Sequence, residues 1–110
     1  MAVLGTTTYT VDNLIIGDDF VTDNIYPVAA GNNVTRGTVM KLVLGKLSPC
    51  LTTETPNTIM LDNVDATLAD AYGSYLVDGM VLESAVNYNT GTAAEFREAL
   101  RSAGILTRSK

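Results

Sequence analysis

The sequence predicts a small, mainly β domain with one short C-terminal helix and an extended N-terminal arm. Three observations carry this reading. Thr, Val, Ile and Tyr recur in short runs, the residue types that suit a pleated, half-buried surface. Gly, Pro, Asn and Asp interrupt those runs about every ten residues, the rhythm of short strands and turns. One segment near the end of the chain has helical periodicity and both of its stop signals.

The chain of 110 residues has the size of one domain. Its hydrophobic fraction of 46% is too high for a disordered polymer. No apolar run reaches membrane-spanning length, and no basic stretch followed by an apolar one marks a secretion signal. Seven basic against twelve acidic residues give a net charge of −5, with the cations scattered. Such a chain repels a phosphate backbone and an anionic lipid surface, so neither nucleic acid nor membrane is an expected partner.

The segment Met1 to Asp23 stands apart, and the expected division is an arm over 1–24 and a compact domain over 25–110. Thr6, Thr7, Thr8, Tyr9, Thr10 and Val11 form a β-prone stretch without Gly or Pro and without a nearby partner strand. One reading is an ordinary first strand or frayed terminus. The other is a segment that adds its backbone to the sheet edge of another chain.

Ile25 to Ala30 reads as a short extended piece with Pro27 at an edge. Val34 to Leu44 reads as one long strand, with Gly37 marking a bulge or a close approach. Gly45-Lys46 is the expected two-residue turn into a return strand, Leu47 to Leu51. Thr58 to Leu61 follows as a buried strand and Asp62 to Asp65 as a polar step. Asp78-Gly79 between Ser74–Val77 and Met80–Leu82 predicts a second hairpin. Thr92 to Glu95 fits a capping box, Phe96, Ala99, Leu100 and Ala103 share a helical face, and Gly104 suits the left-handed stop. Ile105-Leu106 reads as a final strand.

Catalytic chemistry is poorly provided for. The chain has no His, so neither a Ser-His-Asp nor a Cys-His site can be assembled. Cys50 is the one cysteine, too few for a zinc site, and it reads as a small buried apolar residue. Asp62 with Asp65, and Asp18, Asp19 and Asp23, are the carboxylate groupings; both read as solvated or turn-capping side chains. No phosphate loop is present, and Asn33-Val34-Thr35 is a chance match to a glycosylation site. No enzyme activity, metal or cofactor is expected. Tyr72, Tyr75 and Tyr88 are the residues a carbohydrate-binding module would stack on.

Several pieces occur in a telling order. Ala29-Ala30-Gly31 leads into Thr35-Arg36-Gly37-Thr38-Val39-Met40, then Gly45-Lys46-Leu47, Ile59-Met60-Leu61 and Val64-Asp65-Ala66. Tyr75-Leu76-Val77-Asp78-Gly79-Met80 follows, and the series ends in Phe96 to Ile105. This series resembles the lambda head-decoration protein family, the D family of tailed phages, over about Val28 to Arg108. Val34 stands where that family usually has leucine, and Met80-Val81-Leu82 where glutamate-phenylalanine is commoner. Nothing before Val28 matches.

The resemblance implies a β-barrel-like or β-tulip domain that forms a homotrimer at three-fold sites on the outer surface of the expanded capsid. It implies the major capsid protein as partner, with the N-terminal arm in the contact, and a place in the virion. Thr6 to Val11 are the capsid-binding residues under this reading. A tail or baseplate β-module, or a carbohydrate-binding β-module, are the alternatives.

Overall fold

A computed structural model describes residues 14–17 and 20–108. Among these are eight strands and one α-helix, so the domain is mainly β. The strands are β1 (Val21–Asp23), β2 (Asn32–Val34), β3 (Val39–Val43), β4 (Lys46–Pro49), β5 (Thr58–Met60), β6 (Val64–Ala66), β7 (Tyr75–Leu82) and β8 (Ile105–Arg108). A 3-10 turn (Glu83–Ala85) and helix α1 (Ala93–Ala103) lie between the last two. No helix among the described residues is long and apolar enough to cross a membrane.

The main sheet runs β1-β7-β5-β3-β4, with β8 pairing the second half of β7 in parallel. Val28 bridges β4, at Leu47, to Ala71 in the segment that leads into β7. The Val28 N–H donates to Ala71 O (2.7 Å), and on the other side Leu47 N–H donates to Pro27 O and Ala29 N–H to Leu47 O (both 2.8 Å). The β7-β5-β3-β4 part of the sheet therefore curls round onto Val28, with β1 outside this closure.

Strand side chains alternate between faces, so neighbours in sequence enter different cores. Val39, Ile59 and Leu76 join one cluster, and Met40, Met60 and Tyr75 the other. The second cluster takes Val28, Met40, Leu47, Met60 and Tyr75 from successive strands around this closure, and the β2–β6 ribbon packs Val34, Val64 and Ala66 onto it. The first cluster is built from the opposite sheet face, Leu14, Val81, Ile105 and the helix residues Phe96 and Leu100. Packing on both faces explains why β5 is buried without alternation, Thr58 included, whose hydroxyl donates to Leu76 O.

The helix stands as the sequence predicts. The Thr92 N–H donates to Glu95 Oε1 (2.8 Å), and Gly104 closes the last turn at φ 101°. β8 follows it directly.

Several local expectations are corrected. Val34 to Leu44 is not one strand. The chain breaks at Thr35–Gly37, where Gly37 lies against the Ala85 carbonyl so closely that a Cβ would stand 2.7 Å from its oxygen. The first hairpin turns through Leu44-Gly45, one residue earlier than expected, with φ of 53° and 78° and Val43 opposite Lys46. Asp78-Gly79 makes no hairpin: β7 runs through it. Its first half pairs β5 and β1, its second half β8, and the register with β1 slips at Val77, where Val21 faces Asp78 but Thr22 faces Leu76. Asp62 to Asp65 includes the start of β6. The division at residue 24 does not coincide with a change in packing: Leu14 is in the core and β1 is in the sheet, so the compact body takes in Leu14–Gly17 and Phe20–Asp23.

Candidate interaction surface

The side chains with chemical potential are spent on structure. Cys50 is fully buried, and desolvation, with the Glu54 carboxylate adding to it, pushes its thiol up to about 11. A thiol so protonated and enclosed is a poor nucleophile. Among the described residues, no three His, Cys, Asp or Glu side chains are grouped to hold a metal ion. Asp62 accepts the Ser74 N–H (2.8 Å), and Asp65 accepts the Thr67 N–H and hydroxyl (3.1 and 2.6 Å). Asp23 accepts the Asn24 N–H (2.7 Å). These are turn caps; Asp18 and Asp19 lie outside the described residues.

The tyrosines do not form a stacking platform. Tyr72 is exposed, whereas Tyr75 and Tyr88 are buried, Tyr75 accepting the Tyr26 N–H and Tyr88 stacking on Phe96 at 5.8 Å. Burial pushes the Tyr88 hydroxyl up to about 12. Only one of the three faces solvent, so these three do not share one stacking face.

Thr6, Thr7, Thr8, Tyr9, Thr10 and Val11 lie outside the described residues. From Leu14 to Ile16 the chain is hydrogen-bonded to β7. Ile15 bridges Val81 antiparallel, Leu82 N–H donates to Leu14 O and Ile16 N–H donates to Met80 O (both 2.9 Å). The neighbouring elements are clamped by Glu83, which accepts two N–H bonds from Arg97 on α1 (2.8 and 3.1 Å) and the Thr107 hydroxyl from β8 (2.8 Å). That charge-assisted fork joins the 3-10 turn, helix and last strand, next to the Leu82 that pairs with Leu14.

Two further surfaces are apolar. β1 has β7 as its one partner among the described residues, and Phe20, Val21, Ile25 and Tyr26 are exposed along this edge. An open apolar edge is the kind of surface other chains pair with. At the other end of the run 71–82 from Leu14, two leucines stand almost wholly in solvent, Leu44 at 97% and Leu68 at 96% exposure. Sequence reasoning passed over both. Leu44 carried a signal, since a leucine immediately before a turn glycine is out of place; Leu68, between Thr67 and Ala69, carried none.

No protein-family model and no curated protein matches the chain.

Proposed function

We propose that this protein is a decoration protein of a tailed-phage head. In this reading it binds as a homotrimer at three-fold sites on the outside of the expanded shell, and Thr6 to Val11 pair with the major capsid protein. The reading is carried by the ordered motif series from Ala29 to Ile105, and the rigid root at Leu14–Ile16 supports it.

The physical logic is linkage. A clip that binds the expanded shell and not its precursor stabilises the expanded state by mass action. Ordering one arm costs about 1–2 kcal/mol per residue in backbone entropy, so a single arm binds weakly. Arms carried together on one trimer bind in succession at high effective concentration, with avidity rising about 10²–10⁴-fold. A fixed root helps, because it restricts the volume each arm explores.

Co-sedimentation with expanded heads tests the reading. Removing Met1 to Val11 is expected to keep the core contacts that Leu14 and later residues make, and to weaken binding to the shell. Undiminished binding of the truncated chain overturns the role given to the arm.

A further inference from the structure

The short stretch Leu14–Ile16 has β7 along one edge. Ile15 stands opposite Val81 in an antiparallel bridge. On either side of it lie the bonds Leu82 N–H to Leu14 O and Ile16 N–H to Met80 O (both 2.9 Å). A residue between two such bonds turns its own N–H and C=O away from the partner strand. Accordingly, the Ile15 N–H and C=O make no backbone hydrogen bond among the described residues. The Ile15 side chain packs against the first core cluster, so the core holds the residue while its backbone edge stays open. Gly17, exposed and at φ 79°, ends the extended stretch.

This open edge is continuous with a longer one. Asp12 and Asn13 alone separate Leu14 from the strand-prone Thr6 to Val11. In an extended chain the backbone groups of successive residues face opposite edges. A strand extended ahead of Leu14 therefore turns the N–H and C=O of Thr7, Tyr9, Val11 and Asn13 to the same side as those of Ile15. A fold-back of the arm onto its own root meets a mismatch of phase. A two-residue turn at Asp12-Asn13 would need the Leu14 carbonyl for Val11, and that carbonyl is directed at Leu82. The edge suits a strand from a different polypeptide.

We propose that one extended strand of the major capsid protein pairs with Thr7, Tyr9, Val11 and Asn13 and runs on to Ile15. The added strand then joins the domain's own sheet through the edge opposite β7. This pairing rests on the arm reading above and fixes its register. Ile15 is already ordered by the core, so a bond made there carries no further backbone entropy cost, unlike each bond made along the arm.

Hydrogen exchange resolved to single amides tests it, on the free protein and on expanded heads carrying it. In the free protein the Ile15 amide exchanges faster than those of Ile16 and Leu82, which are bonded. On heads it slows about tenfold or more, the equilibrium value of one net hydrogen bond. Thr7, Tyr9, Val11 and Asn13 slow with it, while Thr8, Thr10 and Asp12 keep exchanging. Co-sedimentation of two proline variants gives a second readout. Val11→Pro removes an N–H on the pairing side and weakens head binding about tenfold or more, whereas Thr10→Pro changes it about twofold or less. An Ile15 amide already protected in the free protein means that the edge is filled, and overturns the proposal. Protection without alternation, protection that stops short of Ile15, or equal losses from the two prolines overturns the register and leaves the arm reading standing. No gain of protection anywhere from Thr6 to Val11 overturns the arm reading itself.

Discussion

Gly79 and Phe20 lie in direct contact across the sheet edge: a Cβ built on Gly79 would stand 2.8 Å from the Phe20 Cβ. Gly79 also has φ of 151°, a backbone state that side-chain-bearing residues avoid. Replacing it therefore destabilises the fold for two separable reasons. Gly79→Ala is expected to lower unfolding free energy by about 1–3 kcal/mol, and Gly79→Val by more. Adding Phe20→Gly removes that Cβ and leaves the backbone strain at residue 79, so the double variant, measured against Phe20→Gly alone, shows only part of the loss. Denaturant titration of the set resolves the two contributions.

Asn89 makes a second prediction. It sits at φ 61°, and its Nδ2 donates to the carbonyls of Val39 (3.0 Å) and Cys50 (2.8 Å). Val39 O also accepts the Cys50 N–H, whereas in Asn89→Ala the Cys50 carbonyl gives up its amide donor. The expected cost is about 1–3 kcal/mol. Asn89→Gly suits the backbone equally well and lacks the amide, so a similar loss there assigns the effect to the hydrogen bonds. Equal stability of Asn89→Gly and the unaltered chain would show that the side-chain bonds contribute nothing.

The Glu83 clamp predicts acid sensitivity. The Arg97 guanidinium, helped by the Thr107 hydroxyl, holds the Glu83 carboxyl below its ordinary value of 4.5. The folded state thus binds this proton more weakly than the unfolded state. Its stabilising contribution is fully present above about pH 4.5 and is lost as pH falls through the lowered folded value. Glu83→Gln should melt lower at neutral pH and lose less on acidification. Glu54, Asp65 and Asp70 are also lowered, so the unaltered chain's whole profile is composite. The difference between the two chains from about pH 6 to about pH 3 isolates Glu83. Parallel profiles would show that the clamp does not set the acid response.

The elements legible in the sequence were those whose signals are local. Thr92, Glu95 and Gly104 define the helix within one stretch of chain, and β8 follows from what comes next. The errors arose where distant partners decide. Asp78-Gly79 has the composition of a turn, yet β7 has partners along both edges, and a glycine is needed there to let Phe20 approach. Leu44 entered a left-handed turn position that its own preference opposes, which moved the hairpin by one residue. Gly37 did mark a close approach, but the approach of the Ala85 carbonyl breaks the strand instead of bulging it. Val64 to Ala66 was hidden because its strand is short and, among the described residues, pairs only with β2. Leu14 and Val21 were assigned to an arm because their partner, β7, lies more than fifty residues away in sequence. The exposed leucines of the candidate interface were less legible still, since composition records a leucine and not its solvent contact.

The antiparallel seating of Leu14–Ile16 on Met80–Leu82 has a mechanical meaning. The bonds Leu82 N–H to Leu14 O and Ile16 N–H to Met80 O lie across the strand direction. Tension entering along the strand axis ahead of Leu14 loads these bonds together in shear, while the Leu14 side chain acts as a barb inside the globule. Rupture then requires simultaneous failure, not sequential peeling, and the tug is passed to β7, the longest strand among the described residues.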